Sequence, residues 1–535
     1  MRPTRLVAPS FVIALSFVAC STPRRDVPDA LRTVAERTNF EATALHADVL
    51  TLIDRLVELD PERARRDRFG TSVEGRELPL LVVGEPPCAT PEQAREHDKL
   101  VILLLGNIHA GEVCGKEALL MYARDLLLNP DHADNRAVLD HCVLLIAPIY
   151  NADGNERVDV GNRPGQNGPI RGMGQRANAQ KLDLNRDYLK LEAPESRALA
   201  SLYDRWNPDL TIDTHTTNGS FHRYELTYDG PMHPATERPL EALVRARMLP
   251  EVSQRLFERT GYRTFFYGNF DARRTTWETY SSQPRFGDPY RGLRQRACIL
   301  SEAYAYADFR TRVDVTLEFV RECIDLACDR RHTLTETLER SEAETIAKAT
   351  RPGSDPVPIR TRMAAAAAPV TILGVVETID AAGKAHPTTK PCDVEVVHDD
   401  HFEGTLAVER PRAYLLPPEC GAIVAKLREH GVVVEPLATP YSGEVEVQTV
   451  TEIARAARAF EGHHEVVVDT TMTRATRTIP VGWFRVDLAQ RLGTLCVILL
   501  EPRCEDGLVT WNFFDPWLAQ GAEFPVVRVP RPDAP

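Results

Sequence analysis

The stretch Lys99-Leu-Val-Ile-Leu-Leu-Leu105 is followed directly by the loop Gly106-Asn-Ile-His-Ala-Gly-Glu112. A continuous apolar run of this length is typical of a strand that is buried on both faces of a parallel sheet. The next residues, Val113 to Leu127, are predicted to form a helix. A strand, a loop and a helix in this order are the repeating unit of an α/β fold. Functional residues of such folds lie beyond the carboxyl ends of the strands, so the loop 106–112 is a candidate site.

The alternation of strands and helices continues on both sides of this stretch. Further strands are predicted at 142–148, 209–213 and 297–301, with two strands around a turn at 69–83 and helices over 29–58 and 313–349. The segment Arg351–Pro356 contains two prolines and a glycine, which end the last helix. We therefore expect an α/β domain over residues 41–350.

Residues 356–535 have a different pattern. Five segments read as strands, namely PVTILGVV, VEVVH, EVEVQTV, TIPVGWFRV and LCVILLEP. One helix is predicted, from Cys420 to His430. The sequence thus predicts a β-rich α+β domain at the C-terminus, of unknown role.

The composition is that of a globular protein. Of 535 residues, 43% are apolar and 26% are charged, which excludes a disordered or fibrous chain. The chain has 64 basic and 77 acidic residues, a formal net charge of −13, and no basic run. This balance argues against nucleic-acid binding.

The N-terminus has the features of an export signal. Arg2 and Arg5 precede a 14-residue apolar stretch, Leu6 to Ala19, which is too short to span a membrane. It ends at Cys20, as in a bacterial lipoprotein signal whose cysteine is lipidated and becomes the first mature residue. Residues 1–20 are therefore predicted as a lipoprotein signal peptide, with 21–40 as a tether to the membrane. A plain cleaved signal is the alternative.

Three residues at predicted strand ends could bind a metal ion. His109 and Glu112 are three positions apart in the loop after the buried strand, and His215 follows the DLTID strand. Two histidines and a carboxylate suit Zn²⁺ in a catalytic site, where one position stays open for water. An HxxE pair alone is weak support, because it occurs by chance in many long chains.

Other motifs strengthen the interpretation. Asp183-Leu-Asn185-Arg186 is a DxNR motif, and Glu302 follows the apolar strand 297–301. A carboxylate in that position is costly unless it has a role. HxxE, DxNR, a late histidine and a strand-borne glutamate, in this order, resemble the zinc carboxypeptidase family. The family's GxSxEGR-type segment is present as Gly70–Arg76 and its NPDG-type turn as Asn151–Gly154, with alanine in place of proline.

The resemblance covers roughly residues 40–330 and implies an α/β/α sandwich around a mixed sheet. It implies that His109, Glu112 and His215 bind one Zn²⁺ per chain and that Asp183 orients His109. Asn185 and Arg186 match the pair that holds the substrate's terminal carboxylate, and Glu302 matches the general base. The implied activity is hydrolysis of a C-terminal peptide bond.

Two family residues cannot be placed uniquely. The arginine that polarises the scissile carbonyl lies between the NPDG-type turn and DxNR, where Arg163, Arg171 and Arg176 occur. We prefer Arg176, with Arg171 next. The tyrosine that closes over the substrate corresponds best to Tyr280, with Tyr290 as the alternative.

Two alternative functions remain open at this point. Acyl-amino-acid amidohydrolases of the desuccinylase or aspartoacylase type have a similar pattern of motifs. The second alternative is a catalytically inactive, peptide-binding lipoprotein. The presence of Glu302 argues against it, because a binding protein needs no general base. Two further clusters, His398–His401 and His463–Glu465, are predicted to be surface loops without metal.

Overall fold

The structure is a computed structural model that describes residues 24–531. The signal peptide and Cys20 lie outside the described residues. The strands before residue 350 are β1 (Ala64–Thr71), β2 (Glu77–Val83), β3 (Leu100–Gly106), β4 (Cys142–Ala147), β5 (Leu210–Thr217), β6 (Leu226–Asp229), β7 (Thr264–Phe266), β8 (Asn269–Phe270), β9 (Thr276–Glu278) and β10 (Ala297–Tyr304). The later strands are β11 (Pro356–Ala365), β12 (Val370–Ile379), β13 (Ala385–Glu409), β14 (Ala413–Leu416), β15 (Glu435–Pro436), β16 (Tyr441–Arg455), β17 (Val466–Ile479), β18 (Phe484–Asp487) and β19 (Val527–Val529).

The helices are α1 (Val34–Arg37), α2 (His46–Leu59), α3 (Pro91–Glu96), α4 (Cys114–Leu128), α5 (Ala133–His141), α6 (Ala152–Glu156), α7 (Pro194–Trp206), α8 (Arg238–Glu241), α9 (Leu249–Thr260), α10 (Gly287–Leu293), α11 (Phe309–Asp329), α12 (Arg331–Lys348), α13 (Gly421–Glu429) and α14 (Gly493–Leu500). Residues Ala242–Met248 form π-helical turns between α8 and α9. No helix within residues 24–531 is long and apolar enough to cross a membrane.

An eight-stranded mixed sheet forms the centre of the N-terminal part. Its order is β1-β2-β4-β3-β5-β10-β6-β7, with β4, β3, β5 and β10 parallel to one another. Alternate residues of β3 enter different cores. Ile102 and Leu104 pack in the core that holds residues of α2, α4 and α11, whereas Leu103 and Leu105 pack in the core that holds residues of α7, α13 and α14. Because both faces are covered, the predicted α/β/α sandwich with a mixed sheet is confirmed.

Two smaller sheets contain the strands of residues 356–531. One has the order β11-β13-β9-β8, with β12 paired to β13, and the other has the order β15-β18-β14-β19-β16-β17. The first combines strands from both sides of the segment 351–356, since Val397 to Asp399 of β13 pair with β9. The C-terminal region also packs α13 and α14 on the central sheet, through Ile423 and Val497 among others.

Two local predictions are wrong. The segment LCVILLEP is not a strand, because residues 493–500 form the helix α14, with all its residues buried. A short apolar run without periodicity fits a buried helix as well as a buried strand. Residues 24–40 do not form a free tether, because Leu31 and Ala35 are buried and Arg24 pairs with Asp125 at 2.8 Å.

Candidate metal centre and active site

The predicted metal ligands meet at the carboxyl edge of the central sheet. His109 and Glu112 lie in the loop between β3 and α4, and His215 lies on β5, the neighbour of β3. All three are buried, and one ligand atom from each lies within 4.8 Å of the other two. Within residues 24–531, no second group of three such side chains has this geometry.

The two histidines present the same ring nitrogen to Glu112. Nδ1 of His109 lies 3.0 Å from Glu112 Oε1, and Nδ1 of His215 lies 3.2 Å from Glu112 Oε2. Each Nε2 faces a carboxylate instead, Asp183 Oδ1 for His109 and Asp213 Oδ1 for His215, both at 3.1 Å. A carboxylate behind a histidine fixes the ring and raises its basicity as a ligand. Two Nδ1 atoms and a carboxylate that converge in a buried site fit Zn²⁺.

The two supporting carboxylates stay ionised. Burial opposes the ionisation of both, but the neighbouring His109 and Arg176 hold the pKa of Asp183 well below its usual range. In the same way, Arg291 and His215 keep the pKa of Asp213 low. Asp213 was not predicted from the sequence. Its position two residues before His215, on the same face of a strand, is a signal that could have revealed it.

Glu302 lies beside the metal ligands. It is paired with His215 in the register of β10 and β5, and it lines a cavity of about 280 Å³ that His109 and Glu112 also line. Burial raises the pKa of Glu302 to about 8, and the nearby Glu112 carboxylate acts in the same direction.

The DxNR motif forms the opposite side of this cavity. Asp183 is the N-cap of a 3₁₀ turn, Leu184–Arg186, and both Asn185 and Arg186 line the cavity. The Arg186 guanidinium stacks on the Phe286 ring at 4.0 Å and donates to the carbonyl of Asn185 at 2.8 Å. The Asn185 amide oxygen accepts from Gly287 N at 3.1 Å.

The structure distinguishes the three candidate arginines by whether they line the cavity. Arg176 lines the cavity and contacts Asp183 at 2.8 Å. Arg163 also lines it and contacts Glu112 at 2.9 Å. The structure does not bring Arg171 to the site, since its exposed side chain pairs with Glu41 at 3.1 Å. Our second choice among the arginines is therefore corrected from Arg171 to Arg163.

The two candidate tyrosines also differ. Tyr280 lines the cavity, where its hydroxyl donates to Asp288 at 2.9 Å. Tyr290 is buried outside the cavity lining, and its hydroxyl lies 2.9 Å from Nδ1 of His430. A further tyrosine, Tyr267, lines the cavity and was not predicted.

The prediction of a surface loop is wrong for one of the two other histidine clusters. His398 and His401 lie on β13, where His401 Nδ1 is 2.8 Å from the adjacent Asp400 carboxylate. His463 links two segments, with Nε2 at 2.9 Å from Glu192 and Nδ1 at 3.0 Å from Asn512.

Comparison with known proteins identifies the class. The sequence profile of the zinc carboxypeptidases matches residues 49–319. Carboxypeptidase 2 of Trichophyton tonsurans is 26% identical over 487 residues, which cover 86% of this chain and 81% of that protein. Carboxypeptidase E of Caenorhabditis elegans is 30% identical over 201 residues, which cover 36% of this chain and 38% of that protein. A solved metallo-carboxypeptidase from Burkholderia cenocepacia aligns with a TM-score of 0.39 and 16% identity, over 54% of this chain and 69% of that one.

The chain belongs to the zinc carboxypeptidase family, as its motifs predicted. It is a zinc-dependent metallocarboxypeptidase, and the cluster His109, Glu112 and His215 is its candidate metal site.

Proposed function

We propose that the protein removes C-terminal residues from peptides that end in a free carboxylate, with one Zn²⁺ per chain held by His109, Glu112 and His215. One observation carries this proposal. A single cavity is lined by His109 and Glu112, by Glu302, and by the Asn185–Arg186 pair. Such a cavity can hold the metal, the scissile bond and the terminal carboxylate side by side.

The metal and its supports have separate tasks. Bound Zn²⁺ supplies Lewis acidity, which activates water and polarises the substrate carbonyl. Asp183 and Asp213 hold the rings of His109 and His215, so that the Nδ1 atoms face the metal position.

Arg186 and Asn185 bind the terminal carboxylate of the substrate. A guanidinium offers a planar pair of donors that fits a carboxylate. The Phe286 ring and the Asn185 carbonyl fix the orientation of Arg186, which lowers the entropy lost when the substrate binds. Tyr280 closes the same part of the cavity.

Glu302 and Arg176 act on the scissile bond. In its ionised form, Glu302 takes a proton from the attacking water and then donates it to the nitrogen of the leaving residue. Arg176 stabilises the negative charge that develops on the carbonyl oxygen. Its side chain is 42% exposed, so it can turn towards the substrate.

The pair Asn185 and Arg186, here called the carboxylate clamp, gives the test of the proposal. Wild-type protein should cleave a peptide with a free C-terminus far faster than the same peptide amidated, and Arg186→Ala should lose most of this preference. Arg171→Ala removes an arginine outside the cavity and should keep the preference. If amidation of the peptide lowers the rate of cleavage equally in wild type and in Arg186→Ala, the clamp is refuted. Faster hydrolysis of N-acyl amino acids than of peptides would refute the peptide substrate.

We further propose that the protein is exported and anchored to the membrane by a lipid on Cys20, with residues 41–350 as the catalytic domain. The proposal rests on the apolar stretch Leu6–Ala19 and the cysteine that follows it. Fractionation of cells tests the anchor. Wild-type protein should sediment with membranes and carry the mass of a lipid. Cys20→Ala should show neither property.

A further inference from the structure

The turn that carries the proposed carboxylate clamp is held by a residue from the C-terminal region. Glu461 lies in the loop between β16 and β17, and its Oε2 accepts a hydrogen bond from the backbone N–H of Asp183 at 3.0 Å. Asp183 begins the 3₁₀ turn that presents Asn185 and Arg186. The bond therefore fixes the start of the clamp-bearing turn.

The other side of the clamp is held by the same region. Phe286, on which Arg186 stacks, and Gly287, which donates to Asn185, both follow Arg285. Asp506 accepts from Arg285 N at 2.7 Å and from its Nε at 2.9 Å, and the Glu465 carboxylate is 2.7 Å from Arg285 Nη1. These contacts fix the backbone from which residues 286 and 287 extend.

Three carboxylates of the C-terminal region, Glu461, Glu465 and Asp506, thus hold the two segments next to the clamp. None of them lines the cavity itself, so their action on the substrate goes through Asn185 and Arg186. We propose that the C-terminal region is a working part of the substrate site, with Glu461 as a positioning residue for the carboxylate clamp. This inference rests on the proposed role of Asn185 and Arg186.

The two properties of Glu461 have opposite effects, which makes the inference testable. Its hydrogen bond holds the clamp in place, whereas its negative charge partly offsets the charge of Arg186. Glu461→Ala removes both. Glu461→Gln keeps an acceptor oxygen and removes only the charge.

We expect Glu461→Ala to raise KM for a peptide with a free C-terminus about ten-fold, the size of effect expected from losing one hydrogen bond. A smaller change in kcat is expected, because the clamp binds the ground state and the transition state alike. Glu461→Gln should have a KM equal to or below that of wild type. Glu452→Ala, which changes an exposed glutamate of β16, is the matched control and should behave as wild type.

A purely structural role in joining the two regions would give a different result. It would lower the melting temperature without changing the ratio of activities on free and amidated peptides. A double-mutant cycle adds a second criterion. If Glu461 acts through the clamp, Glu461→Ala should have little further effect on KM in an Arg186→Ala background.

The inference is overturned if Glu461→Ala leaves KM within two-fold of wild type, or if Glu461→Gln is as impaired as Glu461→Ala. It is also overturned if the effects of Glu461→Ala and Arg186→Ala on KM are additive. Failure of the proposed function is recognised separately, because Arg186→Ala alone would then leave the preference for free C-termini unchanged.

Discussion

Glu302 and His215 are opposite residues on two adjacent parallel strands, β10 and β5. Their side chains therefore emerge on the same face of the sheet, about 4.8 Å apart at the backbone. Backbone hydrogen bonds of the central sheet, rather than a flexible loop, set the position of the proposed base relative to a metal ligand. Sites on rigid elements hold catalytic geometry better than sites on loops.

This relationship leads to the first prediction. Glu302→Gln keeps the shape of the side chain and removes the proton acceptor, so kcat should fall by about 10²–10⁴-fold, while zinc content and melting temperature stay unchanged. Steady-state kinetics and metal analysis of the purified variant provide the check. A kcat within a few-fold of wild type would show that Glu302 is not the base.

A structural ion pair is the competing explanation for Glu302. The three arginines that precede Glu302 in the sequence have other partners, since Arg291 bonds to Asp213, Arg294 to the carbonyl of His430 and Arg296 to Asn207. If Glu302 were structural nonetheless, its replacement would mainly lower the melting temperature.

The second prediction concerns the metal. Wild-type protein should carry about one Zn²⁺ per chain, and His215→Ala should lose most of it, because two ligands alone leave the site incomplete. Asp213→Asn should bind zinc about 10–100-fold more weakly, since the support of the His215 ring is weakened. His401→Ala, outside the cluster, is the control. Stoichiometric zinc in His215→Ala would exclude His215 as a ligand.

The third prediction separates the arginines. Arg176→Ala should lower kcat by about 10²–10³-fold, the usual effect of removing a donor to a developing oxyanion. Arg171→Ala should remain within two-fold of wild type, because its side chain pairs with Glu41 at the surface. Arg163→Ala should weaken zinc binding, since this arginine contacts Glu112. Full activity of Arg176→Ala would transfer the oxyanion role to Arg163.

The fourth prediction concerns stability at low pH. Burial lowers the pKa values of His222, His233 and His430 to about 3, whereas the value in the unfolded chain is about 6.5. The unfolded chain therefore takes up protons between these values that the folded chain does not. Each histidine should cost up to about 1.4 kcal/mol of folding free energy per pH unit as the pH falls below 6.5.

One of these histidines offers a direct measurement. His430 is held neutral, with Nδ1 at 2.9 Å from the Tyr290 hydroxyl and Nε2 at 3.1 Å from the carbonyl of Leu189. Denaturant unfolding at pH 7.5 and pH 5 should show a smaller loss of stability in His430→Gln than in wild type, although the variant is less stable at pH 7.5. The exposed His332→Gln should keep the wild-type pH dependence. An unchanged slope in His430→Gln would contradict the prediction.

The central sheet could be predicted because its strands are continuous apolar runs. The stretches around Leu103, Leu145 and Ile299 have too few polar residues for an exposed face. The sequence therefore predicts that each of these strands is buried on both faces. The same reasoning failed for residues 493–500, which are equally apolar but form α14. There the environment provided by the C-terminal fold, not the local pattern, determines the conformation.

The residues of the site also divide into those that could be predicted from the sequence and those that could not. His109, Glu112, Asp183 and His215 could be found because each lies in a short motif at the end of a strand or in a recognisable turn. Glu461 could not, since it is 278 residues from Asp183 and lies in a loop with no motif of its own. Its contact with the site depends on how the C-terminal region packs, and tertiary packing of that kind leaves no periodic signal in a sequence.

The sheet that joins β9 to β13 has a consequence for the order in which the chain can mature. During synthesis, β9 emerges long before Val397–Asp399, the segment that pairs with it. Until then Trp277, fully buried in the finished protein, packs against Phe270 but lacks its cover by Ile372 and Val396. The strand edge is also open to pairing with other chains. A gene truncated at residue 350 would make this transient exposure permanent. The smallest unit that can be produced without aggregation is therefore expected to include both halves of the polypeptide.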